Sequence, residues 1–236
     1  MPKIKNNIDH VSKRIERSAQ QCGRDPGEIL LLAVSKTRGV DEIRSAMQAG
    51  LTEFAENYLQ EALDKIAQLH GENLHWHFIG PLQSNKTRSV AEHFDWVHSV
   101  DRLKIARRLN DQRPEYLHRL HICLQVNIDN EPSKSGLSVD EVLPVALEVA
   151  KLPRLQLRGL MAIPQAGKGF DQQQQAFKQL AQLREQINRS LLSENLPQMD
   201  SLSMGMSDDL EAAVLQGSTI VRVGTDIFGQ REKRQA

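Results

Sequence analysis

The chain is short of cysteine, of excess charge and of long apolar runs, and each shortage narrows its function. Its 236 residues include two cysteines, Cys22 and Cys123. Two cannot build a disulfide framework, and the pair has no metal-ligand spacing, so a reducing, cytoplasmic setting is expected. Lys plus Arg total 30 and Asp plus Glu total 30. Without the basic excess of a duplex binder, no nucleic-acid partner is expected. No apolar run approaches the ~20 residues of a transmembrane helix. The opening Met1-Pro2-Lys3-Ile4-Lys5 lacks the apolar core of a signal peptide, so no membrane partner is expected either. A glycine-rich phosphate turn after the first strand is also missing, since Lys36-Thr37-Arg38-Gly39 stands there. That counts against a doubly wound nucleotide-binding sheet.

Hydrophobic residues make up 39% and charged residues 25% of the chain, a globular composition. A domain of this length buries roughly 70–75% of its unfolded surface and needs no staples. Ile4, Ile8, Val11 and Ile15 fall at helical spacing, with Gly23 as a stop. The apolar run Ile29–Val34 is too short for a helix and reads as a buried strand. Helices are then expected near 41–49, 58–69, 85–93, 101–113, 139–151, 170–191 and 208–216. Strands are expected near 52–54, 74–79, 95–99, 120–128, 155–162, 201–203 and 219–223. Ser138-x-x-Glu141 is a capping box, and Pro144 is expected to kink the helix it opens. The four glutamines Gln172–Gln175 and the basic helix 101–113 (Arg102, Lys104, Arg107, Arg108, Arg113) read as solvated faces. Eight strands alternating with helices predict an α/β fold. It is a single (β/α)8 TIM barrel over residues 1–236 with an extra N-terminal helix.

Active sites of such barrels lie at the carboxyl ends of the strands. Strand 1 ends in Ser35-Lys36. Burial at the barrel mouth would lower the pKa of a lysine, and only the neutral amine attacks an aldehyde. A solvent-reaching lysine marking the strand end is the competing reading. The loops after strands 7 and 8, Ser203-Met204-Gly205-Met206-Ser207 and Gly224-Thr225, are small and hydroxyl-bearing, as a phosphate cup requires. Ordinary turns with an N-cap at Ser207 are the alternative, and Asp208 and Asp209 would compete with an anion at that helix start. Arg222 interrupts an apolar strand and needs an acceptor, either a strand acid such as Glu53 or a ligand nitrogen or carboxylate. His75-x-His77 invites a metal, but as third and fourth ligands the strand ends offer only His98 and Asp226, with no matching carboxylate-rich constellation, so no metal is expected. A lysine, a phosphate cup and an arginine between them describe a pocket for a phosphorylated aldehyde, and pyridoxal 5'-phosphate fits it.

Several segments closely resemble the pyridoxal phosphate homeostasis proteins, the YggS/PROSC family. They are Leu32-Ala33-Val34-Ser35-Lys36-Thr37, Phe54-Ala55-Glu56-Asn57-Tyr58, His75-Trp76-His77-Phe78-Ile79-Gly80-Pro81-Leu82-Gln83-Ser84-Asn85-Lys86, Arg158-Gly159-Leu160-Met161-Ala162-Ile163, Ser203–Asp209 and Val221-Arg222-Val223-Gly224-Thr225. One position departs from the family pattern, Ala55 standing where glycine is usual. The resemblance implies a barrel similar to the N-terminal domain of alanine racemase. It implies Lys36 as the Schiff-base lysine and Asn57 beside the cofactor. Ser203, Ser207, Gly224 and Thr225 would hold the phosphate by side chain or backbone, and Arg222 would face the pyridine nitrogen. It further implies a role in vitamin B6 and amino-acid homeostasis without established turnover; a monomer is expected, with pyridoxal-phosphate-dependent apoenzymes as candidate recipients. The competing expectation is an amino-acid racemase. Only 11 residues follow Thr225, where alanine racemases add a second domain, and Tyr58 is the one tyrosine placed to replace that domain's acid/base group.

Overall fold

A computed structural model of the chain describes residues 2–131, 134–165, 167 and 169–230. Eight parallel strands close into a barrel in chain order: β1 (Leu30–Val34), β2 (Glu53–Glu56), β3 (His75–Phe78), β4 (Trp96–Val100), β5 (Leu120–Gln125), β6 (Leu155–Met161), β7 (Ser201–Ser203) and β8 (Ile220–Val223). β8 returns to β1 with Leu32 opposite Arg222 and Ala33 opposite Val223. Helix α1 (Pro2–Gln21) precedes the barrel. Helices α2 (Val40–Gln48), α3 (Leu59–Gln68), α4 (Thr87–His93), α5 (Leu103–Gln112), α6 (Val139–Val149), α7 (Phe170–Ser193) and α8 (Leu210–Leu215) connect the strands. This is the expected (β/α)8 barrel with its extra N-terminal helix.

Side chains alternate across each strand, one set facing the helices and the other the barrel interior, and most of both sets are buried. Outward residues such as Ala33, Phe54, Phe78, Val97 and Ile122 join the main core under the helices. Inward, Leu32, Val34, Ala55 and Ile220 form a much smaller apolar cluster. Polar side chains share the interior with it: His77, His98, Ser203 and Arg222 are all buried. Ala55 is buried in β2 and is not among the positive-φ residues, so alanine fits there without strain.

Local details differ from the sequence expectation where long-range pairing decides. β2 runs to Glu56 because it pairs with β3 up to Phe78. β5 stops at Gln125, and Val126 forms an isolated bridge to Leu137 instead of extending the strand. α8 starts at Leu210 with Asp209, not Ser207, as its N-cap residue. A four-residue helix, α9 (Thr225–Phe228), follows β8 and was not expected. The capping box holds: Glu141 Oε2 accepts from Ser138 N at 2.9 Å and from Ser138 Oγ at 2.7 Å. α6 is one continuous helix through Pro144. The basic α5 is not simply a solvated face. Buried Arg113 at its end donates to the carbonyls of Ala91, Phe94 and His118, and Arg108 donates to Ser84 O. Among the described residues, no helix is long and apolar enough to cross a membrane.

Candidate cofactor site at the carboxyl mouth of the barrel

Lys36 lies half-buried in the turn that leaves β1. That turn includes Thr37 at φ +64°, a left-handed conformation that a β-branched residue holds only when its surroundings enforce it. The enforcement comes from α3. Lys65, 5% exposed in its side chain, places its ammonium on Ser35 O at 2.7 Å, Glu56 Oε1 at 2.7 Å and Glu61 Oε1 at 2.6 Å. Glu61 Oε1 also accepts from Thr37 N at 2.5 Å, and Ser35 Oγ donates to Glu56 Oε1 at 2.6 Å. The turn carrying Lys36 is thus bolted to β2 and α3 by a three-charge cluster in which Lys65 and Glu56 are buried and Glu61 is partly exposed. Burial raises the Glu56 carboxyl above its ordinary range, with Lys65 opposing.

Asn57 follows β2 at the same mouth, and its Oδ1 is buried with no hydrogen-bond partner. A buried unpaired acceptor costs about 1–3 kcal/mol, so this atom fits a site completed by a bound donor. Its backbone is seated by Gly80, where a Cβ would come within 2.0 Å of Asn57 O. Beside it lies a cavity of about 270 Å³ lined by Asn57, Ile79, Gln125, Asn127, Lys134 and Ile163, among others.

The two small loops occupy the adjoining sector. Gly205 has φ +93°, and a Cβ there would meet Ala213 Cβ at 2.5 Å, so only glycine lets this loop lie against α8. Asp209 Oδ1 accepts from Met206 N at 2.5 Å, closing the loop on itself. The Asp209 carboxyl is pushed above its ordinary range by burial. At Gly224 a Cβ would sit 3.2 Å from Val34 O, so the β8 loop lies against the end of β1, next to the Lys36 turn. The first amides of α9 have no intrahelical acceptor. Arg14 of α1 ties both loops together. It donates to Ser207 O at 2.7 Å, pairs with both oxygens of Glu211, and reaches Asp226 at 2.6 Å.

Arg222 reaches inward from β8. Its partner is not Glu53. It donates from Nη1 to Ser203 Oγ at 2.8 Å and from Nη2 to Ala162 O at 3.0 Å. Burial pulls it down to about 10, countered in part by the charge of Asp209, so it remains a cation at neutral pH. Ser203 is fully buried and its hydroxyl also faces His98 Nδ1 at 2.7 Å. That side chain therefore points into the barrel interior, whereas Ser207 is half-buried and Thr225 exposed in the outer loops. Tyr58 is 54% exposed.

The structure thus brings Lys36, Gly224 and Thr225 to neighbouring strand ends, with Asn57 one strand further round, and turns Ser203 and Arg222 inward. The His75-x-His77 pair is split. His75 is exposed, while His77 is buried between Glu53 and His98. Among the described residues, no group of three His, Cys, Asp or Glu is placed to hold a metal. Sequence reading missed Lys65, Glu56, Glu61 and Arg14. A signal existed for Lys65, which falls on the buried face of α3 with Ala62 and Leu69, four residues after Glu61. Arg14 carried none, because its partners lie about 200 residues away.

A parallel eight-stranded barrel with a lysine ending its first strand and glycine-containing loops after its last two has the architecture of the alanine racemase N-terminal domain, and that family matches residues 3–232. The pyridoxal phosphate homeostasis protein of Pseudomonas aeruginosa is 53% identical over 232 residues, covering 98% of this chain and 97% of that protein. Its namesake in Escherichia coli K12 is 51% identical over 235 residues, covering 98% of each. The structure of PipY from Synechococcus elongatus with PLP bound is 37% identical with a TM-score of 0.80, covering 92% of this chain and 100% of that one. An alanine racemase from Clostridium difficile is 13% identical with a TM-score of 0.70, and 99% of this chain covers 58% of it; this likeness is one of fold. The chain belongs to the family of pyridoxal phosphate homeostasis proteins.

Proposed function

We propose that this protein binds pyridoxal 5'-phosphate at the carboxyl mouth of its barrel and serves cofactor and amino-acid homeostasis as a carrier rather than as an enzyme. The observation that carries this reading is the closure of β8 on β1. It sets the turn that carries Lys36 beside the Gly224-Thr225 loop, so a lysine and a small hydroxyl-bearing loop share one corner of the mouth. The unpaired Asn57 Oδ1 supports it, as do relatives that carry the homeostasis name and the PLP-bound PipY structure.

When bound, pyridoxal phosphate supplies an aldehyde that condenses with an unprotonated amine and a ring that draws electrons best when its nitrogen is protonated. In this proposal Lys36 is the amine. Asn57 Oδ1 accepts a hydrogen bond from a polar group beside it, and Ser207, Gly224 and Thr225 hold the phosphate. Ser203 contributes through Arg222, since its hydroxyl is already committed there. Arg222 faces the ring nitrogen and, being cationic, repels a proton from it. Racemisation also needs acid/base groups on both faces of a substrate carbon, and Tyr58 is largely turned to solvent. We place the protein in the cytoplasm as a monomer, with pyridoxal-phosphate-dependent apoenzymes as recipients.

The test is borohydride reduction of the loaded protein followed by peptide mapping, which should find the adduct on Lys36. An adduct only on other lysines refutes the assignment. Pyridoxal should bind orders of magnitude more weakly than its phosphate, because charge-assisted hydrogen bonds contribute roughly 1.5–3 kcal/mol each. Equal affinities would remove the phosphate loops from the site.

A further inference from the structure

The least expected feature of the barrel is the row of polar side chains across its interior. Glu53 Oε2 lies 2.7 Å from His77 Nε2, His77 Nδ1 lies 2.9 Å from His98 Nε2, and His98 Nδ1 lies 2.7 Å from Ser203 Oγ. Ser203 Oγ then accepts from Arg222 Nη1 at 2.8 Å. The row starts on β2, passes β3 and β4, crosses the interior to β7 and ends on β8. His77, His98 and Ser203 have no exposed surface, whereas the Glu53 side chain is 20% exposed. Glu53 borders a second cavity of about 270 Å³, lined also by His75, Asp95, His118 and Arg119. The row therefore joins that cavity to the arginine of the candidate site.

Counting protons fixes its direction. Burial holds both imidazoles below their ordinary range, His98 well below it, so each carries one N–H at neutral pH. An ionised Glu53 accepts only, which requires the His77 proton on Nε2. His77 Nδ1 is then an acceptor and takes the proton of His98 Nε2. His98 Nδ1 in turn accepts from the Ser203 hydroxyl, whose lone pairs are left for Arg222. Every member is satisfied in this arrangement and each donor points toward Glu53. With both rings in the opposite tautomer, the Nε2 lone pair of His77 would face a carboxylate at 2.7 Å, which is repulsive. The rings are also held in place: His77 stacks on Trp96 with planes 7° apart and centroids 5.4 Å apart.

We propose that Glu53, acting through His77, His98 and Ser203, is a remote positioning residue for Arg222: its carboxylate sets the tautomers of both histidines and thereby turns the Ser203 hydroxyl proton onto His98, which aims the oxygen's lone pairs, neither of them taken by His98, at the guanidinium. The tautomer setting stands on this geometry and on the burial of both rings. Its consequence for a bound ring rests on the proposed pyridoxal phosphate site.

The test uses the full-length, cofactor-free protein labelled with ¹⁵N in histidine and arginine side chains. Long-range ¹H–¹⁵N spectra at neutral pH should show His77 and His98 both protonated at Nε2 alone. Glu53→Ala should turn the His98 signal into a mixture of tautomers and shift the Arg222 guanidinium resonances. Glu53→Gln, which retains an acceptor oxygen, should restore the wild-type pattern at least in part. A proton on Nδ1 of either ring in the wild type overturns the proposal, and this measurement requires no variant to fold. An unchanged His98 signal in a folded Glu53→Ala protein also overturns it. In the loaded protein, Glu53→Ala should move the absorbance maximum of bound pyridoxal phosphate. Unaltered absorbance, with the tautomers changed, would refute only the reach from Arg222 to the ring, and failure to bind the cofactor would refute the proposed site while leaving the tautomer result standing.

Discussion

Lys65→Met tests whether the charge cluster behind Lys36 holds the turn. The wild-type ammonium contacts Ser35 O, Glu56 and Glu61 within 2.7 Å, and the Glu56 side chain has no exposed surface. Removing Lys65 leaves Glu56 with Ser35 Oγ as its remaining hydrogen-bond partner, since its second oxygen already has none. Breaking a buried pair from one side costs about 3–5 kcal/mol. With a urea m-value of ~3 kcal/mol/M, the denaturation midpoint should fall by ~1–1.7 M. Glu56→Gln added to Lys65→Met should recover much of the loss, because no uncompensated charge remains. The pH dependence gives an independent sign. Burial already raises the Glu56 carboxyl and Lys65 opposes that rise, so the variant should raise it further. A carboxyl whose folded pKa exceeds its unfolded one favours the folded state once protonated, and loses that advantage as pH rises through the folded pKa. The deficit of Lys65→Met relative to wild type should therefore shrink as pH falls from neutral toward the ordinary carboxyl range. A loss below about 1 kcal/mol, the scale of a surface pair, or a deficit that grows in acid, would refute the reasoning.

Three further outcomes are expected. Arg14→Leu, which unties the β7 and β8 loops, should weaken pyridoxal phosphate more than pyridoxal in parallel absorbance titrations; equal losses would mean that Arg14 does not act on the phosphate loops. Burial raises the Cys123 thiol to about 12, so at pH 8 iodoacetamide should label half-buried Cys22 in the folded protein and reach Cys123 only after unfolding, as peptide mass spectrometry would show. Loaded protein incubated with single L-amino acids should yield no D-enantiomer on chiral chromatography at rates of ~1 s⁻¹ or above; such turnover, abolished by Lys36→Ala, would replace the carrier reading with a racemase.

Much of the barrel was legible from local pattern. Ile29–Val34 is an apolar run bounded by Asp25-Pro26-Gly27 and Lys36, and Ile4, Ile8, Val11 and Ile15 repeat at helical spacing. Such signals depend only on near neighbours, and alternation of strand and helix then leaves few topologies. Lys36, Asn57, Ser207, Gly224 and Thr225 were legible as candidates because a barrel puts its chemistry at strand ends. The ends of β2 and β5 were not, since pairing with a neighbouring strand decides where a strand stops. Nor were partnerships across the barrel. Glu53 looked like a counter-ion for Arg222, yet the closed structure gives Glu53 to His77 and Arg222 to Ser203 and Ala162. The hydroxyl of Ser203 has partners, His98 and Arg222, that its place after β7 did not foretell, and Arg113 read as part of a solvated face and instead donates to buried carbonyls. In each case the side chain's chemistry was plain from its identity. Its partner was not, because the partner lies on a strand or helix brought near only when the barrel closes.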